Sequence, residues 1–384
     1  MQTLSYIIWN ANPKIFPNGL FGWQLPIVWY GLLFAFGFLL SQQILFYIHK
    51  KEGKPEKDVE TLTIYMVVAT IIGARLGHVL FYETSTLWEN PLDVINFWDG
   101  GFRGLASHGG AIGIFIALWT YANYEIKIKV LRLKVSIKKQ KRKNQSFLQV
   151  LDRIAIVTAL TGCLIRFGNF TNSEIIGKPI EGNSGVVFAR SFTDHLKPSN
   201  RAIESITYAS READNDENGN VPININVQFK RGTQEAVVRS TIENTAKGTF
   251  NQSYIQRHFA QDTGKPLDYT LSESDGKTIA TISTFAISRH PAQLYESISC
   301  LVIFLILMFV WSRKKLETPK GLLFGLFLTL IFGLRFLYEY IKENQVAFED
   351  DLPLNMGQIL SIPLVIVGLI IIFRVRKQAT PSSE

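Results

Sequence analysis

The chain has 384 residues, 47% of them hydrophobic, with a mean hydropathy of +0.13 and a formal charge of +8. The apolar residues gather in runs of about 20, the length a helix needs to cross a bilayer, which excludes an ordinary soluble globule. The positive charge falls in alternate loops, as in an oriented membrane protein, and this placement argues against a nucleic-acid partner.

Residues 1–25 are mixed and aromatic, with Trp9, Phe16, Phe21 and Trp23, and suit an interfacial lead-in. The first predicted span runs from Pro26 to Ile48 and is followed by Lys50, Lys51, Lys54 and Lys57. The second runs from Val59 to Tyr82, before an acidic, aromatic loop with Glu83, Glu89, Asp93, Trp98 and Asp99. The third, Leu105 to Tyr124, leads into the most basic stretch: Lys127, Lys129, Arg132, Lys134, Lys138, Lys139, Lys141, Arg142 and Lys143. The fourth covers Val150 to Phe170.

Residues 178–286 then turn polar and include the turn-like run Asp214-Asn-Asp-Glu-Asn-Gly-Asn220. Val221 to Phe229 alternates apolar and polar residues, the pattern of a half-buried strand. Span five covers Ala292 to Trp311, before Arg313, Lys314, Lys315 and Lys320. Span six covers Leu322 to Ile341, before Glu343, Glu349, Asp350 and Asp351. Span seven covers Gly357 to Phe373, before Arg374, Arg376 and Lys377.

The expected fold is thus an all-α polytopic membrane protein with seven transmembrane helices. The charge alternation places the N-terminus outside and the C-terminus in the cytoplasm. The expected divisions are a four-span membrane part (1–177), a soluble, β-rich insertion on the outer face (178–286) and a three-span part (287–384). No cleaved signal peptide is expected. Cys163 and Cys300 lie in apolar runs and read as small packing residues, with no disulfide framework and no metal-ligand spacing. No internal repeat is visible, which weakens a transporter built from duplicated halves.

Polar groups inside the apolar runs mark the candidate site. Arg166, Asn169 and Asn172 recur at threes along the end of span four, with Glu174 and Gly177 beyond it. Such groups at the rim of an apolar segment are costly unless they pair or bind something. Trp29-Tyr30-Gly31 stands near the outer end of span one, where Tyr30 also fits an aromatic belt. Arg75 lies in span two between Gly73 and Gly77, which suit close approach of a helix or ligand. Ser107-His108-Gly109-Gly110 opens span three, where backbone N–H groups would suit an anion or lipid phosphate. Arg335 and Glu339 are four apart in span six and able to bridge each other, and Glu296 adds an acid at the start of span five. In the deduced topology these groups, Arg75 aside, fall toward the outer half, in keeping with one cavity for an anionic headgroup whose tails stay in lipid.

These motifs together resemble the bacterial prolipoprotein diacylglyceryl transferases. Arg166-Phe-Gly-Asn-Phe-Thr-Asn-Ser-Glu-Ile-Ile-Gly177 is similar to the family's G-R-x-G-N-F-x-N-x-E-x-x-G stretch, with Ile165 in place of the leading glycine. His108-Gly-Gly-Ala-Ile-Gly113 is similar to its H-G-G-x-x-G, and Arg289-His-Pro-Ala-Gln-Leu-Tyr-Glu296 to its R-H-P-x-Q-L-Y-E. Gly73-Ala-Arg75-Leu-Gly77, Trp29-Tyr30-Gly31, Arg335-xxx-Glu339 and Gly357-Gln-Ile-Leu-Ser361 also fit. Lys342 stands where many members have arginine, and the insertion is longer than the family's expected head.

The resemblance implies an enzyme of the bacterial cytoplasmic (inner) membrane that works toward the outer leaflet. It implies transfer of the diacylglyceryl group of phosphatidylglycerol to the lipobox cysteine in the signal peptide of a prolipoprotein, with glycerol phosphate released. The implied partners are phosphatidylglycerol, the prolipoprotein and membrane lipids; no cofactor and no nucleic acid are expected. The expected catalytic residues are His108, Arg166, Arg335 and Glu339. The expected substrate-binding residues are Tyr30, Arg75, Gly109, Gly110, Asn169, Asn172, Glu174, Gly177 and Glu296. His108 reads either as the general base for the thiol or as a headgroup ligand. A lipid transporter or a receptor with an outer sensory head remains a weaker reading.

Overall fold

A computed structural model describes residues 6–19, 21, 23, 25, 27–89, 106–129, 134–181, 184–344, 349 and 352–379. Among these, six helices are long and apolar enough to cross a membrane. They are α1 (Trp29–Lys51), α2 (Glu56–Tyr82), α5 (Phe147–Thr171), α10 (Ala292–Lys314), α11 (Leu322–Tyr338, continued by a 3₁₀ turn at Glu339–Ile341) and α12 (Met356–Ala379). Sequence analysis predicts a seventh span at 105–124. The helix there, α4 (Ser107–Asn123), has 17 residues. That length is at the lower end of what crosses a bilayer, and residues 90–105 before it lie outside the described ones. Leu105, Asp93, Trp98, Asp99, Arg132, Asp350 and Asp351 lie outside the described residues.

By its internal packing the chain forms two units. The first comprises Met1–Phe34, Leu164–Ile298 and Arg335–Ile359; the second comprises Ala35–Cys163, Ser299–Leu334 and Leu360–Glu384.

The second unit holds most of the helical mass. Leu45, Leu62, Leu118, Tyr121 and Leu151 form one buried cluster. Ile48, Ile156, Ile303, Leu307, Trp311 and Leu323 form another. The outward faces are apolar as well: Ile64, Leu305, Phe309 and Phe373 are exposed, as helices surrounded by lipid require. A short helix, α3 (Thr86–Glu89), follows α2.

Glycines bring α2 and α4 together. A Cβ on Gly77 would sit 2.6 Å from Gly109 Cα, and one on Gly73 would sit 2.5 Å from Gly109 O. Larger residues would force the two helices apart.

Two buried acids organise the same unit. Asp152 on α5 accepts the N–H groups of Gly321 (2.7 Å) and Phe324 (2.9 Å), and so caps the N-terminus of α11 from another helix. Glu52, after α1, accepts from Arg153 and from the indole of Trp311 at 2.8 Å. Beyond α4, strands β2 (Tyr124–Lys129) and β3 (Lys134–Lys139) form an antiparallel hairpin that returns to α5.

The first unit contains a four-stranded antiparallel sheet of order β5-β6-β8-β7. Its strands are β5 (Ile203–Ser210), β6 (Val221–Phe229), β7 (Asp268–Ser274) and β8 (Lys277–Ala286). β6 covers the residues whose alternation predicts a strand, and Ile223, Ile225, Val227 and Phe229 are fully buried. The turn-like run joins β5 to β6. Asp216 accepts from the backbone N–H of Asn218 and Asn220, and Gly219 takes φ +76°, a left-handed conformation that suits glycine. Helices α6 (Arg190–Ser199), α7 (Glu235–Ser240), α8 (Lys247–Phe250) and α9 (Ser253–Gln256) accompany the sheet, so the insertion is built from helices and strands together. Its core includes Phe192, Phe229, Phe250 and Phe259. A short parallel pair, β1 (Ile7–Trp9) with β4 (Val186–Phe188), ties the N-terminal segment to the insertion.

Candidate active site

The site grows from the last turn of α5. Helical spacing aligns Arg166 with Asn169, whose Oδ1 accepts from Arg166 Nη1 at 3.5 Å. Asn169 Nδ2 donates to Glu174 Oε1 at 2.8 Å, and Asn172 Nδ2 reaches the same oxygen at 3.4 Å. The chain leaves the helix through Ser173 (φ +56°) and Ile175 (φ +58°), two side-chain-bearing residues in the left-handed region. Ile175 is β-branched, so this turn is held by its surroundings rather than by local preference. Gln293 is one of the holders, donating to Glu174 O at 2.6 Å.

Glycines let other elements close on this turn. Gly168 faces Tyr30, and a Cβ there would stand 2.9 Å from the Tyr30 ring. Gly177 bonds to His290 O through its N–H (3.1 Å) and bridges to Lys342. A Cβ on Gly177 would come within 3.0 Å of Ile341 O, so only glycine fits between these two backbones.

The charged groups form a linear chain of alternating sign. Arg166 Nε lies 2.6 Å from Glu296 Oε2. Glu296 Oε1 pairs with Lys342 Nζ. Lys342 Nζ lies 3.1 Å from Glu339 Oε1, and Arg335 Nε lies 3.6 Å from that oxygen. Glu339 Oε2 also accepts from Asn355 Nδ2 at 3.2 Å. Gly357 leaves room for the Glu339 carboxyl, whose Cδ would be 2.5 Å from an added Cβ.

The interior of this chain is dry, with side-chain exposure of 7% for Glu296, 3% for Lys342 and 11% for Glu339. The two ends are wetter, at 25% for Arg166 and 40% for Arg335. Three cations against two acids leave a net positive charge, carried toward the accessible guanidinium ends. Such an arrangement is chemically suited to an anion that accepts paired N–H donors. Asn172 Oδ1, Ser173 Oγ, His290 Nδ1 and Gln293 Oε1 are buried and find no hydrogen-bond partner among the described residues.

Arg289 supports the site from outside the spans. It donates to Arg257 O (2.9 Å) and Gly177 O (3.0 Å) and pairs with Glu343. It therefore holds the Gly177 backbone and the Glu343 side chain, one on each strand of the Gly177–Lys342 bridge. Next to Arg257, His258 is buried, and its pKa is pushed down to about 4 by burial first, then by Arg289 and Arg257.

The structure thus gathers Tyr30, Arg166, Asn169, Asn172, Glu174, Gly177, Glu296, Arg335 and Glu339 into the first unit. Arg75, His108, Gly109 and Gly110 belong to the second. There Arg75 Nη1 lies 3.7 Å from Glu83 Oε2, and His78 lies 3.3 Å from Glu83 Oε1. His108 is exposed, whereas Gly109 and Gly110 are buried, and Gly110 N–H bonds to Ala106 O within the helix. Among the described residues no three His, Cys, Asp or Glu side chains gather as a metal ligand set would.

Lys342, Gln293, Arg289 and Asn355 are the participants absent from the sequence-derived set. Arg289 and Gln293 stand in the same motif as Glu296, which was the available signal. Lys342 stands three residues after Glu339.

A family model described as "Prolipoprotein diacylglyceryl transferase" matches residues 19–374. Three curated relatives, each named phosphatidylglycerol–prolipoprotein diacylglyceryl transferase, match along nearly their whole length. The Tolumonas auensis protein is 31% identical over 372 residues, 97% of this chain and 98% of the relative. The Chloroherpeton thalassium protein is 32% identical over 379 residues, 99% and 98% of the two chains. The Porphyromonas gingivalis protein is 33% identical over 387 residues, 98% and 97%.

Proposed function

The chain belongs to the prolipoprotein diacylglyceryl transferase family, and from that membership we propose how its ionic chain performs the transfer. The enzyme is a membrane transferase that moves the diacylglyceryl group of phosphatidylglycerol onto a prolipoprotein in lipoprotein maturation. The observation that carries the proposal is the buried Glu296–Lys342–Glu339 core with an accessible arginine at each end.

The acceptor is the lipobox cysteine thiol. A free thiol ionises near pH 8.5, so it must lose its proton to attack well at neutral pH. Its sulfur forms a bond to the terminal glycerol carbon of the diacylglyceryl group. The bond from that carbon to the phosphate oxygen breaks, and glycerol phosphate leaves with the bonding electrons. Charge therefore develops on the phosphate, and fixed guanidinium groups stabilise that charge best. Arg166 and Arg335 clamp the phosphate. Glu296 and Glu339 hold the arginines at fixed angles, with Lys342 keeping the two acids from repelling one another. Tyr30, Asn169 and Asn172 orient the headgroup, Glu174 holds Asn169, and Gly177 keeps the backbone close.

His108 takes the thiol proton in this scheme. Arg75 adds positive charge, and Gly109 and Gly110 keep the His108 helix against α2. The membrane frame is that of seven spans, with α4 included, in the bacterial inner membrane. The N-terminus lies outside, the site faces the outer leaflet, and residues 178–286 form an outer head that receives the prolipoprotein.

The test is mass spectrometry of a lipobox peptide incubated with the purified enzyme and phosphatidylglycerol. The wild type should add a diacylglyceryl mass to the cysteine. Arg166→Ala should lose roughly 10²–10³-fold in kcat while still folding; an unchanged rate would remove Arg166 from the clamp. His108→Asn should slow the reaction with little change in lipid binding. Equal loss of both assigns His108 to the headgroup instead.

A further inference from the structure

The densest run of positive charge follows α4. Residues 124–143 hold nine lysines and arginines against one acid, Glu125, while the remaining thirty-one basic and thirty-one acidic residues cancel. Basic residues also follow spans one, five and seven, as the orientation of a membrane protein requires, but those groups are smaller. Among the described residues, the β2–β3 pair and the segment leading to α5 form an arm that carries eight of the nine.

That arm is rooted firmly. Ile126 N–H donates to Tyr65 Oη at 3.0 Å, and Gln140 N–H to Asn123 O at 2.9 Å. Arg142 donates to Tyr121 O, and its guanidinium lies 4.2 Å from the Tyr121 ring centroid. Tyr121 is itself buried and bonded to Gln145 at 2.7 Å. Arg142 is therefore a strut, whereas Lys138, Lys139, Lys141 and Lys143 are exposed.

The arm is also apolar in part. Ile126 pairs in register with Ile137, which is 64% exposed. A groove of about 800 Å³ runs from Ile126 along the outer surface of α2 and α4, past Tyr65, Val68, Ile72, Gly113 and Ile116. It is long, open and lined almost wholly by apolar groups. A basic, amphipathic arm at the mouth of an apolar groove, at the end of membrane helices, matches a molecule with an anionic head and an acyl tail.

We propose that the hairpin and the groove form a binding site for an anionic phospholipid, separate from the transfer chemistry. The exposed lysines 139, 141 and 143 meet the headgroup, and an acyl chain lies in the groove along the surface of α2 and α4. Under the topology proposed above, this lipid belongs to the cytoplasmic leaflet. Nucleic acid is the competing partner for so basic an arm, but residues 125–143 offer no aromatic side chain on which a base could stack.

The test uses the full chain in nanodiscs of phosphatidylcholine doped with phosphatidylserine, which is anionic without being the diacylglyceryl donor. Native mass spectrometry reads the ratio of the two lipids retained per protein. Lys139→Gln/Lys141→Gln/Lys143→Gln should lower the phosphatidylserine share at least about fivefold. Its transfer rate with phosphatidylglycerol in detergent should match the wild type. An unchanged lipid ratio overturns the site, whereas a lost transfer rate alone would bear on the reaction scheme. A second readout keeps all the lysines: a bimane label on Ile137→Cys in a Cys163→Ala/Cys300→Ala background. It should shift to the blue as phosphatidylserine replaces phosphatidylcholine. A label that ignores the lipid but responds to added transfer RNA assigns the arm to nucleic acid and overturns the proposal.

Discussion

Two buried charge networks in this protein are built from the same residue types and end differently. Around Glu52 the network closes on itself. Glu52 Oε1 receives Arg153 Nε (2.9 Å), Arg153 Nη2 (2.6 Å) and Trp311 Nε1 (2.8 Å), while Lys54 pairs with Oε2. Arg153 has a further bond to Lys315 O at 3.0 Å. The Glu52 side chain is fully buried, and those of Arg153 and Lys54 are 2% and 5% exposed. Between Arg166 and Arg335 the network is a line, and both ends reach outward. The closed network keeps its charged groups buried and offers a ligand no accessible end. An open one keeps its interior neutralised and offers its ends. The difference separates a structural role from a binding role without appeal to residue identity.

The largest expected effect should break the closed network. Arg153→Met leaves Glu52 buried with Lys54 and Trp311 alone, and removal of one partner from a buried ion pair costs about 3–5 kcal/mol. The measurable result is a large drop in Tm for the detergent-solubilised enzyme, with kcat per folded molecule unchanged. If folded Arg153→Met lost kcat, the distinction between the two networks would fail.

The open network should respond in the opposite sense. Lys342→Met leaves Glu296 and Glu339 without their shared cation and lets both arginines drift. A misplacement on the order of 1 Å costs roughly 10²-fold in rate. kcat should fall with a smaller change in KM, and Lys342→Arg should restore most of it, because the charge returns to the same place. Loss of Tm with kcat intact would make Lys342 a structural residue like Arg153.

The same contrast explains what could be read from the chain. The six long helices are written as apolar runs, since a segment surrounded by lipid must be apolar on its outward faces. Arg335 and Glu339 are visible as a pair four apart. The link through Lys342 is not visible, because it depends on the 3₁₀ turn at Glu339–Ile341, which ends the helix. The extended backbone of Lys342 and its bridge to Gly177 then settle the residue there. The paired glycines at 109 and 110 suggested free backbone donors. Both are buried, Gly110 N–H bonds to Ala106 O, and Gly109 approaches the backbone of Gly73 and Gly77. In the insertion, β6 is legible because its alternation is local, but the order β5-β6-β8-β7 depends on pairing residues 221–228 with 279–286. No short-range pattern encodes that contact.

Acid should separate the two regions by pH. In the first unit, His258 has its folded pKa lowered to about 4 by burial, Arg289 and Arg257, from an ordinary value of 6.5. The unfolded chain therefore takes up a proton between those values while the folded chain does not. The stabilising contribution is whole above pH 6.5 and declines as pH falls toward 4, by about 2 kcal/mol at pH 5. In the second unit, burial raises the pKa of Glu52, but Arg153 and Lys54 outweigh it and hold the carboxyl below 4.5. Its contribution is whole above pH 4.5 and is lost only as pH falls through the lower folded value. Thermal unfolding between pH 7 and 5 should therefore weaken the wild type through His258 while the Glu52 network stays intact. His258→Gln should flatten that decline. A decline that persists in His258→Gln but vanishes in Arg153→Met would assign the acid sensitivity to the closed network instead.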